Sequence, residues 1–274
     1  MKSRLLSCSF GCLFLLALSK PTWAITVSEL YIFGDSLSDT NGTTQGGLSN
    51  GPLWPFYLSP QLGITYDPAT NFAQGGATTS NLATQIFLYQ STVVSADPNA
   101  LYVVWAGGND IAANSPGTTA ANNVINAVNT LASFGATQFL VPNMPDMGLV
   151  PIDGMGSLTG AAIDFNNVID AKYTGSTAVT VVDVFGLHHE VIADPSAFGL
   201  INATDPCAFS TDCFTDTTAP YLFFDNLHPT TIGHSIIADR FAVTLAAVPL
   251  PHAVWLFGSG LLGLVGVARR KRFA

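Results

Sequence analysis

Basic residues are nearly missing from this 274-residue sequence once its two ends are set aside. Lys2, Arg4 and Lys20 stand at the front and Arg269, Arg270, Lys271 and Arg272 at the back, so only Lys172 and Arg240 lie between. All 18 acidic residues fall in that middle stretch and leave it at −16. A body so acidic repels phosphate backbones, which excludes nucleic acid as a partner. No Gly-Lys-Ser/Thr sequence is present, and two basic residues could hardly hold a nucleotide. Cysteine is scarce too, at four residues, and no internal repeat or charged linker interrupts the body. Apolar residues are plentiful: 48% of positions are hydrophobic and 11% aromatic. That excludes disorder for most of the chain and supplies a core for one large domain or two small ones.

Both ends carry addresses. Residues 1–24 have the form of a secretory signal: basic Lys2 and Arg4, an apolar run from Leu5 to Leu18, and small Ala24 after Pro21-Thr22-Trp23. A membrane span is the alternative, but Ser7, Ser9 and Gly11 interrupt a run that is already short. Cleavage would start the mature chain near Ile25 and place it in an oxidising compartment. Cys8 and Cys12 would leave with the signal, and Cys207 and Cys213 would remain, six apart in a polar loop. Their expected disulfide would brace the loop leading to Asp225, worth roughly 2 kcal/mol at best. A metal pair is the alternative, but it has no histidine beside it.

At the other end, residues 253–268 are apolar or small except for Ser259, and four basic residues follow directly. The run is slightly shorter than a full span needs, and the basic tail places its end in the cytoplasm. Preceded by Val248-Pro249-Leu250-Pro251, residues 248–274 resemble a PEP-CTERM sorting segment, with Leu250 where the usual motif has Glu. The resemblance implies an exosortase partner, secretion machinery, and a bacterial envelope or extracellular location. Membrane anchoring through the C-terminus would be transient or stable. An ordinary buried helix is the alternative, and the basic tail speaks against it.

Residues 25–247 form the body. Short apolar runs there end at polar or glycine-rich turns: Leu30-Tyr31-Ile32-Phe33, Leu101 to Trp105, Phe139-Leu140-Val141, and Val179 to Val182. Such near-continuous runs suit strands of a parallel sheet covered on both faces. Helical spacing is found over 122–134, 158–173 and 231–247. The alternation predicts one α/β domain with an open, mostly parallel sheet, whose ligands sit beyond the carboxyl ends of the strands.

The chemistry-bearing residues fall at those ends. Ser36, in Gly34-Asp35-Ser36-Leu37-Ser38, follows the first strand, and alone it is as well explained as a helix cap. A serine nucleophile needs a base, an acid to orient that base, and oxyanion donors. His228 in Asp225-Asn226-Leu227-His228-Pro229-Thr230 could supply the base, with Asp225 reaching its Nδ1 across one turn. Locally, Asp225 capping the last helix accounts equally well for the pattern. Gly75-Gly76 and Gly107-Gly108-Asn109-Asp110 offer candidate donors, since glycine lets a backbone N–H approach a ligand. Adjacent His188 and His189 lack a third metal ligand at suitable spacing, and His234 is most simply packed or solvated on the last helix.

In this order, GDSLSDTN at 34–41, NFAQGGATTS at 71–80, GGND at 107–110 and DNLHPT at 225–230 resemble the GDSL esterase/lipase family, also called SGNH hydrolases. Many relatives read Asp-Thr-Gly-Asn in the first block, whereas Asn41 directly follows Thr40 here. The resemblance implies a flavodoxin-like three-layer α/β/α sandwich. It also implies Ser36 as nucleophile, His228 as base and Asp225 as orienting acid. The oxyanion hole would be formed by the N–H groups of Ser36 and Gly76 with the Asn109 side chain. Such an enzyme acts on a lipid or short-chain acyl ester and needs no cofactor and no metal. A carbohydrate O-acetyl esterase, or a catalytically retired surface binding protein on the same scaffold, are the alternatives. Leu53, Trp54, Pro55, Phe56 and Tyr57 could line an acyl pocket or equally belong to the core.

Overall fold

The computed structural model describes residues 27–40, 48–153, 156–207 and 219–247. The signal and sorting segments expected at the ends, and Cys213, lie outside the described residues. Four parallel strands, β1 (Leu30–Gly34), β2 (Leu101–Trp105), β3 (Gln138–Pro142) and β4 (Val179–Val182), form a sheet in the order β1-β2-β3-β4. A fifth lane runs beside β1. Phe72 N–H donates to the Ile32 carbonyl at 2.8 Å and Gln74 N–H to the Gly34 carbonyl at 3.1 Å, with a parallel bridge between Ile32 and Asn71. With that lane on the far side of β1, the order is flavodoxin-like.

Seven helices accompany the sheet among the described residues: α1 (Trp54–Gln61), α2 (Leu82–Thr92), α3 (Gly108–Ala112), α4 (Gly117–Ser133), α5 (Thr159–Tyr173), α6 (Val184–Ala193) and α7 (Thr231–Ala246). Alternation along the strands divides the core in two. Tyr31, Phe33 and Tyr102 point to the α2 side, where the Tyr89 ring lies 4.9, 5.7 and 5.9 Å from theirs. The Tyr89 and Tyr102 hydroxyls satisfy one another at 2.9 Å. Trp105 points the other way, onto Phe241 of α7 at 5.6 Å, and Phe241 also meets Trp54 of α1 at 5.2 Å. Helices therefore cover both faces, giving the three-layer α/β/α sandwich expected from the sequence.

A small parallel pair, β5 (Asn202–Pro206) and β6 (Tyr221–Phe223), follows α6 and delivers the chain to the 225–230 loop. Cys207 directly after β5 is fully buried. Among the described residues no helix is long and apolar enough to cross a membrane.

Candidate active site

β1 has to end abruptly to present Ser36. A Cβ on Gly34 would stand 2.1 Å from the Trp105 carbonyl oxygen, so only glycine lets the two strands close here. The Gln85 side chain clamps the same residue, accepting from Gly34 N–H at 2.9 Å and donating to its carbonyl at 2.7 Å. The chain then turns. Ser38 and Asp39 N–H both donate to the Asp35 carbonyl at 3.0 Å, and Leu37 N–H donates to the Asp35 carboxylate at 3.0 Å. Trp54 of α1 donates its indole N–H to Ser38 Oγ at 3.1 Å and holds the turn from behind. Ser36 is left 7% exposed, with its Oγ 2.8 Å from His228 Nε2.

The 225–230 loop sets that imidazole. Asp225 Oδ1 accepts the N–H groups of Leu227 at 2.8 Å and His228 at 2.7 Å, and its two oxygens lie 2.9 and 2.8 Å from His228 Nδ1. A carboxylate facing Nδ1 calls for a proton there, which leaves the Nε2 lone pair to receive the Ser36 hydroxyl. Burial pushes the Asp225 carboxyl up, but the bonds from the His228 ring and the two amides outweigh it and hold it below its ordinary value. Asp225 is not the cap of α7. That role belongs to Thr230, whose Oγ1 accepts Gly233 N–H at 3.1 Å.

Gly76 and Asn109 approach from the neighbouring lanes. Gly75 N–H donates to Asp39 Oδ2 at 2.7 Å, and Asn109 Nδ2 donates to the Ala77 carbonyl at 2.9 Å, so Gly76 is held on both sides. Its φ of +75° is left-handed backbone that favours glycine. The Asp110 carboxylate takes Thr79 N–H and Thr79 Oγ1, each at 2.8 Å, and fixes this turn to the end of β2. Among the described residues, neither Ser36 N–H nor Gly76 N–H meets an acceptor. Asn109 Nδ2 carries a second hydrogen besides the one given to the Ala77 carbonyl.

Behind Ser36 and His228 lies a cavity of about 80 Å³. Its walls are almost wholly carbon: Met144 and Met147 after β3, Leu187 and Val191 of α6, Ile236 and Ile237 of α7. Residues 53–57 are elsewhere: Leu53 caps α1 and is buried, and Trp54 packs on Phe241 of α7. Asp35 is buried on the cavity side, and burial raises its carboxyl to about 6 against the pull of the Leu37 N–H bond and the His228 charge. The loop after β3 is fastened by Asp146, which accepts from Thr159 Oγ1 at 2.6 Å and Gly148 N–H at 3.0 Å and meets His189 Nε2 at 3.0 Å. Ile152 N–H donates to the Asn226 carbonyl at 2.8 Å, joining that loop to the 225–230 turn.

Sequence reading brought out Ser36, His228, Asp225, Gly76 and Asn109 but missed Gln85, Asp146 and the cavity. Gln85 sits mid-helix with no motif around it, and the cavity walls come from three distant segments. His188 and His189 lie on α6, which begins directly after the end of β4. His234 is fully buried on α7, and His252 lies outside the described residues.

The sequence matches the family model for GDSL-like Lipase/Acylhydrolase over residues 30–241, which is most of the chain. The chain belongs to this family. Lipase 1 of Photorhabdus luminescens is 26% identical over 88% of this chain and 53% of its own length. Esterase EstA of Pseudomonas aeruginosa is 26% identical over 81% of this chain and 47% of its own length. The chain thus spans about half the length of these curated relatives. Among solved structures, a lipolytic G-D-S-L family protein from Veillonella parvula superposes with a TM-score of 0.55 at 17% identity, covering 77% of this chain and 94% of that one. Axe2, an acetylxylan esterase from Geobacillus stearothermophilus, gives 0.55 at 16% identity, covering 81% and 96%. At such identities these neighbours speak for the GDSL fold.

Proposed function

We propose that this GDSL-family chain is an exported serine esterase that hydrolyses carboxylic esters with an aliphatic acyl chain. The observation that carries the reading is the buried contact of 2.8 Å between Ser36 Oγ and His228 Nε2, at the mouth of an apolar cavity. Ser36 Oγ attacks the ester carbonyl carbon as its proton passes to His228 Nε2, and Asp225 steadies the resulting imidazolium. The Ser36 and Gly76 N–H groups and Asn109 Nδ2 receive the oxyanion. Each such donor is typically worth roughly 3 kcal/mol of barrier. Collapse expels the alcohol, which takes the proton from His228, and leaves an acyl group on Ser36. Water, deprotonated by His228, then frees the acid and restores the serine.

The acidic 25–247 body, the signal-like front and the basic-tailed end support export, with the 248–274 segment as a membrane anchor or exosortase substrate. A Cys207–Cys213 disulfide fits that compartment, and the burial of Cys207 supports it. The test is hydrolysis of p-nitrophenyl acetate, butyrate and palmitate by the protein and by Ser36→Ala. Turnover that favours butyrate or palmitate and vanishes in Ser36→Ala is expected. Equal turnover in the variant would overturn the reading, and a strong preference for acetate would select an O-acetyl esterase instead.

A further inference from the structure

Apart from Asp35, Ser36, Asn109 and His228, one more polar side chain stands in the carbon wall of the cavity. His188 of α6 is 7% exposed and lines the same space as Ser36 and His228. Its ring rests on Phe223 with centroids 5.8 Å apart, and neither Nδ1 nor Nε2 has a hydrogen-bond partner. The Asp146 backbone lies close enough to pull on the ring, but makes no well-formed hydrogen bond with either nitrogen. The neighbouring His189 turns the other way and takes the Asp146 carboxylate, which is already bound to Thr159 and Gly148. Burial lowers His188 to about 4, so at neutral pH it is an uncharged imidazole with one donor and one acceptor nitrogen.

A buried imidazole with both nitrogens idle is costly unless a ligand fills them. The walls specify the rest of that ligand. A carboxylate would be stripped of water here beside Asp35 and with no Lys or Arg in the lining, and a plain alkyl chain would leave the imidazole unpaired. A hydroxyl can donate to or accept from one ring nitrogen, whichever tautomer is present, and the carbons beside it suit the methionine, leucine and isoleucine lining. We propose that His188 is a specificity-determining residue, and that the preferred substrate is an ester whose acyl chain carries a hydroxyl bound by His188. The proposal rests on the esterase reading of Ser36 and His228 and on the acyl chain occupying this cavity.

The experiment uses the full chain with methyl hexanoate and its monohydroxylated isomers, one for each chain carbon, followed by proton release at constant pH. One isomer is expected to exceed methyl hexanoate in kcat/KM by about tenfold or more, because a site built for a hydroxyl rejects the analogue lacking it. In His188→Leu that isomer should lose its advantage while methyl hexanoate improves. His188→Gln, which keeps a donor and an acceptor, should retain part of the preference. If all the esters fall within about twofold of each other, or the preference survives in His188→Leu, the inference falls while the esterase reading stands. If no ester is turned over in a Ser36-dependent way, both fall.

Discussion

Two aspartate–histidine pairs occur among the described residues, and by distance alone they are nearly the same. His228 Nδ1 lies 2.8 Å from Asp225 Oδ2, and His189 Nε2 lies 3.0 Å from Asp146 Oδ2. Their surroundings differ. The His228 residue is 9% exposed and its second nitrogen meets Ser36 Oγ. The His189 side chain is 49% exposed and its ring leans on Phe185 at 4.9 Å. Asp225 spends its remaining capacity on the turn that aims His228, whereas Asp146 spends its own on fastening a loop to α5. An Asp–His contact is therefore a joint that a fold can use anywhere. The proposed catalytic role of His228 rests on what is added there: a buried ring whose far nitrogen faces a hydroxyl beside an apolar cavity.

Removing each histidine should separate the pairs most sharply. His228→Ala is expected to lower kcat by roughly 10⁴ or more, and His189→Ala by less than about threefold. Steady-state kinetics on one ester decides it, and comparable losses would erase the distinction. A smaller effect lies on the oxyanion side. Asn109→Ala should cost about a hundredfold in kcat with the protein still folded, since one donor of three is lost. An unchanged kcat would remove Asn109 from the site.

The smallest effect concerns the histidines that pair with no carboxylate. Burial lowers His188 to about 4 and His234 to about 3. Below about 6.5 the unfolded chain binds protons that the native state refuses, so these groups make stability fall as the pH drops from about 6.5 towards 4. Asp35, raised by burial to about 6, acts in the opposite sense: the native state keeps a proton that the unfolded chain releases above about 4. Two histidines against one aspartate make stability rise with pH across this window. His234→Leu should flatten that rise by roughly 2–3 kcal/mol between about pH 4.5 and 7 in urea titrations. An unaltered slope would show that His234 is not held neutral.

Much of this arrangement was legible in the residues. The strands stood out because burial on both faces makes them continuous apolar runs, and α5 and α7 because their apolar positions recur at helical spacing. α4 starts at Gly117, five residues before its apolar period becomes visible, because Pro116 rather than a hydrophobic residue sets its start. α1 escaped notice because Trp-Pro-Phe-Tyr-Leu is apolar all round, and α2 because Phe87 and Leu88 are exposed and blur its stripe. The candidate triad was readable because its members sit in short motifs at strand ends and in a tight turn. The cavity was not, since Met144, Leu187 and Ile236 meet only after the sheet brings three segments together. A clamp such as Gln85 on Gly34 depends on a contact 51 residues distant in sequence, which no local pattern reports.

The central claim is that Ser36 is made nucleophilic by His228, and labelling with a fluorophosphonate followed by peptide mass mapping tests it most directly. The account predicts a single adduct, on Ser36, that disappears in His228→Ala while that variant stays folded. A folded wild-type protein that takes no label, or one labelled at another serine, would contradict it.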